Sequence, residues 1–319
     1  MEGAGRRWRL VRHADQGEPL TVLSGIVPVF MIIGLGVFAR RMGWIDEPFV
    51  VQLNRVIYLL AIPALLVRLI GRAELGESLS GPLVAACAAA TLVVGLVTWV
   101  GALWTGSAPE RRGVLVQAAV RGNLAFIGFP IILATGGEIA LRLAAVTAAV
   151  LIPFQNLVSI TALAAGRGGR PGTFVRVLVL NPVVLGVCGG VVWSVSGWPG
   201  WLWFNSFLDI LSGLALPGAL LAVGAQLQIE GLRAELRPSI VVAVLKLAAV
   251  PALGWIALSL LEVDATGVLV GVFLLAAPTA VVSAAIAQGM GGDAELARAA
   301  IVTSSLASFP SYIVWALVL

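Results

Sequence analysis

Long apolar runs alternate with short polar connections along the whole chain. The runs fall at about 21–39, 51–71, 82–104, 113–135, 139–164, 174–196, 204–227, 239–261, 266–289 and 297–318. Each approaches the ~20 residues that a helix needs to cross a bilayer core. They are continuous rather than alternating, which excludes the ~10-residue strands of an outer-membrane barrel. The pattern predicts an all-α membrane protein of ten transmembrane helices. It leaves a polar tail at 1–20, a first five-helix unit at 21–165, a cytoplasmic connection at 166–173 and a second five-helix unit at 174–319. The Gly- and Pro-rich stretch Gly166–Gly172 reads as a flexible turn at the seam, and no stretch is long enough for an extramembrane domain.

The two units repeat one another. Pro28 and Pro63 recur at Pro182 and Pro217, each shifted by 154. Pro82 recurs at Pro238 (shift 156), Gly136-Gly137-Glu138 as Gly291-Gly292-Asp293 (shift 155) and Pro153 at Pro310 (shift 157). Ala61-Ile62-Pro63-Ala64-Leu65-Leu66 is echoed by Ala215-Leu216-Pro217-Gly218-Ala219-Leu220-Leu221. An odd number of spans per copy makes the second copy enter the membrane from the opposite side. The expected fold is therefore a 5+5 inverted repeat with proline-broken helices, the build of alternating-access transporters.

Composition points the same way. Hydrophobic residues make up 60% of the 319 and charged residues 11%, against roughly 25% charged in a soluble domain. The net charge of +4 comes from 19 Arg and one Lys. In short connections these are topology signals rather than nucleic-acid contacts. The odd-numbered connections hold Arg40, Arg41, Arg111, Arg112, Arg167, Arg170, Arg233, Arg237 and Arg298; the even-numbered ones hold only Arg72 and Arg142. The odd connections are thus expected in the cytoplasm and both termini outside, against the preference of Arg6, Arg7, Arg9 and Arg12 in the tail. The cell (inner) membrane is the expected location. Residues 1–19 are polar and no small-residue cleavage site follows the first run, so no cleavable signal peptide is expected. Trp198, Trp201 and Trp203 read as interfacial anchors. Cys87 and Cys188 lie in apolar runs without metal-ligand spacing and read as small buried hydrophobes.

Candidate chemistry sits where the spans break. Span 4 contains Arg121-Gly122-Asn123-Leu124-Ala125-Phe126-Ile127-Gly128-Phe129-Pro130. An interior proline removes a backbone donor, and carbonyls freed near Phe126 and Ile127 must face protein, water or cargo rather than lipid. Span 9 carries a matching break in Ala276-Ala277-Pro278-Thr279-Ala280-Val281-Val282-Ser283, with its unwound point expected late, near Val282 and Ser283. The two breaks should meet at mid-membrane and present half-helix N-termini to an anion; plain kinks in a packed bundle are the competing reading. Arg121 lies about eight residues into span 4, roughly 12 Å at helical rise. Gln155 and Asn156 sit mid-span 5 beside Pro153. The amides either line a site or merely cross-link helices. An Arg or Lys at such depth holds a carboxylate or snorkels to the nearer interface, and Lys246 and Asp209 fit snorkelling at least as well. Glu138 and Asp293 read as loop or cap residues. The candidate substrate-binding set is Arg121, Asn123, Gly128, Pro130, Gln155, Asn156, Pro278, Thr279 and Ser283. The single histidine, His13, is in the tail. There is no Ser/His/Asp set, no intramembrane Asp pair, no phosphate-binding Gly-rich loop with Lys-Ser/Thr and no His/Cys cluster. An enzyme, ATP drive, a metal and a cofactor are therefore not expected.

Asn123, then Gly128-Phe129-Pro130, resembles the Asn-x-x-x-x-Gly-x-Pro element of the auxin efflux carrier family, which includes plant PIN proteins and bacterial relatives. Pro28-Val29-Phe30, Gly34-x-Gly36, Arg40-Arg41-x-Gly43-x-Ile45-Asp46, Asn54-Arg55, Asn181-Pro182, Pro217 with Gly224, and Ala277-Pro278-Thr279 continue the likeness across essentially the whole chain beyond residue 20. The resemblance implies crossed broken helices 4 and 9 and separate scaffold and transporter domains, as in bile-acid symporter and NhaA-like folds. It implies organic anions as cargo: auxin-like acids in plants, malonate- or malate-type dicarboxylates for some bacterial relatives. It also implies homodimers formed through the scaffold. The plant proteins carry a second proline at the span 9 crossing, where this chain has Val282 or Ser283, and their long cytoplasmic loop is missing here. The expected function is secondary transport of a small organic acid, with efflux favoured, by an elevator-like shift of one domain within membrane lipid. Sodium- or proton-coupled symport or antiport on the same fold, and a non-transporting membrane sensor of organic acids, stay open as alternatives.

Overall fold

The computed structural model describes residues 19–72, 80–167, 181–227 and 232–319. The Arg-rich tail and most of the 166–173 connection lie outside the described residues. The helices are α1 (Pro19–Arg41), α2 (Glu47–Gly71), α3 (Gly81–Trp104), α4 (Pro109–Val120), α5 (Phe129–Arg167), α6 (Pro182–Ser196), α7 (Leu202–Gln226), α8 (Leu236–Leu260), α9 (Ala265–Leu275), α10 (Ser283–Gly289) and α11 (Ala294–Val318). Among the described residues, seven helical stretches are long and apolar enough to cross a membrane, and α6 and α9 are shorter apolar helices. The protein is an all-helical, multi-pass membrane protein.

Helix starts are set by side chains that accept the first free N–H groups. Asp46, Ser80, Asn181, Asp264 and Asp293 do this for α2, α3, α6, α9 and α11. Asp293 is thus the cap it was read as. Three prolines announce a second device. The turns Ile57–Ala61, Leu124–Gly128 and Leu245–Ala249 are widened to π geometry, and they end two residues before Pro63, Pro130 and Pro251. A proline ring would strike the carbonyl one α-turn back, and the wider turn moves that carbonyl aside. Pro130 therefore bends nothing open: the helix passes through it. The corner further on comes from Gly137, at φ 69° and ψ −167°, a conformation essentially reserved for glycine.

Two groups of helices result. In the first, α1 lies along α7 and α2 along α6, with backbones nearly touching. A Cβ on Gly36 would stand 3.1 Å from Gly224 Cα, and one on Gly224 would run into the Ile33 carbonyl. A Cβ on Gly186 would stand 2.9 Å from Pro63 Cα, and one on Gly190 2.8 Å from Ile70 Cβ. Small residues allow this close packing where lipid supplies no hydrophobic drive. Because α6 turns its glycines to α2, Cys188 is left exposed, contrary to its reading as buried; Cys87 is buried as expected. Gly224→Ala is expected to cost about 1–3 kcal/mol through overpacking and to lower the thermal midpoint in detergent by several degrees. Gly34→Ala is the control, since nothing lies within 4 Å of its Cβ position. Equal midpoints for both variants would contradict the packing argument.

The second group comprises α3, α4, α5 and α8 to α11. Two ion-pair clusters mark the ends of the bundle. At one, Arg72 pairs with Asp209 at 2.9 Å and Arg68 with Glu138 at 3.2 Å and Asp209 at 3.5 Å. Arg72 also donates to Asn205, beside the exposed Trp201 and Trp203 rings. Asp209 is therefore held in ion pairs at this end. At the other end Arg111 binds Glu235 and Asp293.

Candidate functional site

Between these ends two helices come apart. α4 stops at Val120 because Arg121 turns extended (φ −89°, ψ 98°), and Asn123 (φ −82°, ψ 61°) leads into the next turn. α9 stops at Leu275, and helix resumes at Ser283. The interruptions meet in an antiparallel bridge between Gly122 and Thr279. The Asn123 N–H donates to the Pro278 carbonyl at 2.7 Å and the Ala280 N–H to the Arg121 carbonyl at 2.9 Å. Each break thus satisfies the other's freed backbone groups, which the hydrocarbon would leave bare. The opening in the first segment lies at 121–123 rather than around Phe126 and Ile127, because the π turn absorbs Pro130. In the second it centres on Thr279 rather than on Val282 and Ser283. Gly122 suits its place: a Cβ there would stand 2.9 Å from Leu124 Cδ2 and 3.1 Å from Lys246 Nζ.

Most of the expected residues converge on this bridge. Arg121 follows a helix of 12 residues, about 18 Å of rise, so it sits deeper than the sequence suggested. Its Nε donates to Asn156 Oδ1 at 2.7 Å and its Nη1 to Ser283 Oγ at 3.2 Å. Gln155 Oε1 accepts the Gly122 N–H at 3.0 Å. Thr279 Oγ1 donates to the Ala118 carbonyl at 2.8 Å, near the end of α4, and its N–H donates to Ser304 Oγ at 3.1 Å. Gly128 and Pro130 lie along the widened turn instead, where the Gly128 N–H donates to the Asn123 carbonyl at 3.2 Å.

Lys246 was underrated by the sequence reading. It does not snorkel: it is fully buried, and its Nζ donates at 2.7 Å to the Leu275 carbonyl at the end of α9. The available signal was that the chain's single lysine stands inside an apolar run, five residues before Pro251. Tyr58, in the widened turn of α2, also went unnoticed. It donates to Asn181 Oδ1 at 3.3 Å. The Leu124–Gly128 turn that follows the first break packs on α7, so the crossing faces the first helix group as well as its own.

The charge balance is one-sided. Among the described residues, neither Arg121 nor Lys246 has a carboxylate within ion-pair distance. Asn123 Nδ2 and Gln155 Nε2 are buried without a partner among the described residues. Because Gln155 Oε1 takes the Gly122 N–H, its free atom is the donor. Two cations and two spare amide donors call for acceptor oxygens carrying negative charge.

The chain is similar to known transport proteins. A protein of Methanothermobacter thermautotrophicus described as an uncharacterised transporter is 25% identical over 306 residues, covering 95% of this chain and 99% of its own length. A provisionally named malonate transporter of Rhizobium meliloti is 28% identical over 306 residues, covering 90% of this chain and 92% of its own. The pattern of the family described as "Membrane transport protein" matches residues 21–166 and 172–316. The chain belongs to that family of membrane transport proteins, the auxin efflux carrier family.

Proposed function

We propose that the protein is a secondary transporter of a small organic acid anion, working by alternating access with an elevator-like shift of the second helix group against the first. The observation that carries the reading is the donor-rich crossing: Arg121, Lys246, Asn123 Nδ2 and Gln155 Nε2 lack a negative partner among the described residues. In this proposal Arg121, Asn123, Gln155, Asn156 and Ser283 receive the carboxylate, Pro278 and Thr279, whose donors are engaged within the protein, shape the crossing, and Gly128 and Pro130 shape the turn beside it. The malonate name of one relative supports a dicarboxylate. Export is the favoured direction, across the cell membrane.

The proposal includes ten spans in a 5+5 inverted repeat, with units at 21–165 and 174–319 and both termini outside. Two contacts support it. The Gly36–Gly224 approach maps onto Gly190–Ile70 when the units are exchanged, since 190 − 36 and 224 − 70 are both 154. The bridge joins Gly122 to Thr279, 157 residues on, a shift equal to that between Pro153 and Pro310. A position paired with its own counterpart is what a two-fold axis through the crossing requires.

The test is flux of radiolabelled malonate, malate and indole-acetate into proteoliposomes, for wild type and Asn123→Ala. Loss of a hydrogen bond to a charged group costs about 1.5–3 kcal/mol, so flux of the transported acid is expected to fall roughly ten- to hundredfold. An alanine variant that carries every acid at the wild-type rate would falsify the assigned site.

A further inference from the structure

The two helix groups meet at the tryptophan-bearing end and at mid-depth. At mid-depth Phe30 of α1 packs on Phe309 of α11, centroids 4.8 Å apart. Towards the tryptophan end, a Cβ on Gly25 of α1 would stand 2.5 Å from the Ala134 carbonyl of α5. Four residues beyond Ala134, Glu138 reaches across to Arg68 of α2 at 3.2 Å. Arg72 and Asp209 in the same cluster both belong to the first group, so their pair stays within it.

The opposite end is built differently. Glu138 has Asp293 as its counterpart, shifted by 155, and Arg68 shifted by 154 falls on Ala222. Alanine offers no cation. Asp293 instead pairs with Arg111 at 3.4 Å, inside its own group, and caps α11. Among the described residues, an ion pair between the groups is therefore present at the tryptophan end and has no counterpart at the other.

We propose that Arg68 and Glu138 form an ionic latch that holds this conformation and must part before the second group can shift. The proposal rests on the alternating-access reading above. In an inverted repeat the two end states are the same packing with the units exchanged. A latch at one end alone makes those states unequal, biasing the empty carrier towards closure at the tryptophan end. The side chains are 23% and 53% exposed, so the pair is weak enough to break in each cycle, with an effect of about two- to fivefold on the population ratio.

The test uses the full chain carrying Cys188→Ser, with Val282→Cys as reporter; Val282 is 51% exposed at the entry to α10. Labelling rates by an impermeant maleimide are compared from the two faces of oriented vesicles without substrate. Glu138→Gln and Arg68→Gln are expected to shift the ratio of the two rates two- to fivefold towards the tryptophan-side face. Arg72→Gln, which removes an ion pair within one group, is expected to leave it unchanged. Raising salt to about 1 M, where the screening length falls to ~3 Å, is expected to move wild type towards Glu138→Gln. A ratio unchanged in Glu138→Gln and in high salt, or shifted equally in Arg72→Gln, overturns the latch. Labelling needs no cargo: shifted labelling without flux removes the transport reading and keeps the latch, while flux without shifted labelling does the reverse.

Discussion

Replacing Arg121 by glutamine is expected to lower organic-acid flux by about two orders of magnitude or more while the protein stays folded. Removing one member of a buried charge pair costs about 2–5 kcal/mol, and in the proposed function the carboxylate of the cargo is the other member. Glutamine keeps a donor for Asn156 Oδ1, so the tie between α5 and the crossing survives in part. Lysine is expected to restore only part of the rate. Its single ammonium cannot reproduce the fork by which Nε holds Asn156 while Nη1 holds Ser283. Initial rates in proteoliposomes measure the loss. Thermal shift by malonate measures binding, because a ligand of the folded state raises the midpoint by mass action. Wild-type rates and wild-type thermal shifts in the glutamine variant would show that the anion never meets the guanidinium.

Lys246→Gln is expected to reverse the preference between dicarboxylates and monocarboxylates. Arg121 and Lys246 place two basic side chains at the crossing, and no carboxylate among the described residues offsets them. A dianion balances both; a monoanion balances one. Removing a unit charge ~8 Å from a second charge, at an effective dielectric of ~20, is worth about 2 kcal/mol, roughly thirtyfold in malonate flux relative to acetate. Glutamine keeps a donor for the Leu275 carbonyl, so the change isolates charge from the capping of α9. Competition of malonate and acetate against one labelled substrate reads the ratio. An unchanged ratio would show that Lys246 acts on helix ends alone.

The residues that carry the crossing were legible because broken backbone is expensive in lipid and few residue types produce it. Pro278 and the Gly122–Asn123 pair stand out against long apolar runs, and the repeat says that the two belong together. The position of the first opening was not legible. Pro130 is the conspicuous residue, yet the π turn at Leu124–Gly128 accommodates it, and the chain opens earlier, where Gly122 alone fits beside Lys246. Lys246 itself was misread because snorkelling depends on which way its face of α8 turns. That is decided by packing against α9 and against α3, the latter more than a hundred positions away. Cys188 shows the same limit: an apolar run in a membrane helix looks alike on its protein side and its lipid side. Glu138 and Asp293 are alike as sequence, yet Glu138 meets Arg68 of the other helix group while Asp293 caps α11 and meets Arg111 of its own.

The glycine contacts of α1 with α7 and of α2 with α6 have a mechanical consequence. Surfaces that mesh backbone to backbone cannot glide past one another without first being prised apart, and nothing in hydrocarbon compensates for the lost contact. In the proposed mechanism these four helices are therefore the fixed rail. Any travel of the charged crossing along the membrane normal is travel of the other helices against that rail, with Phe30 and Gly25 among the points on which they bear.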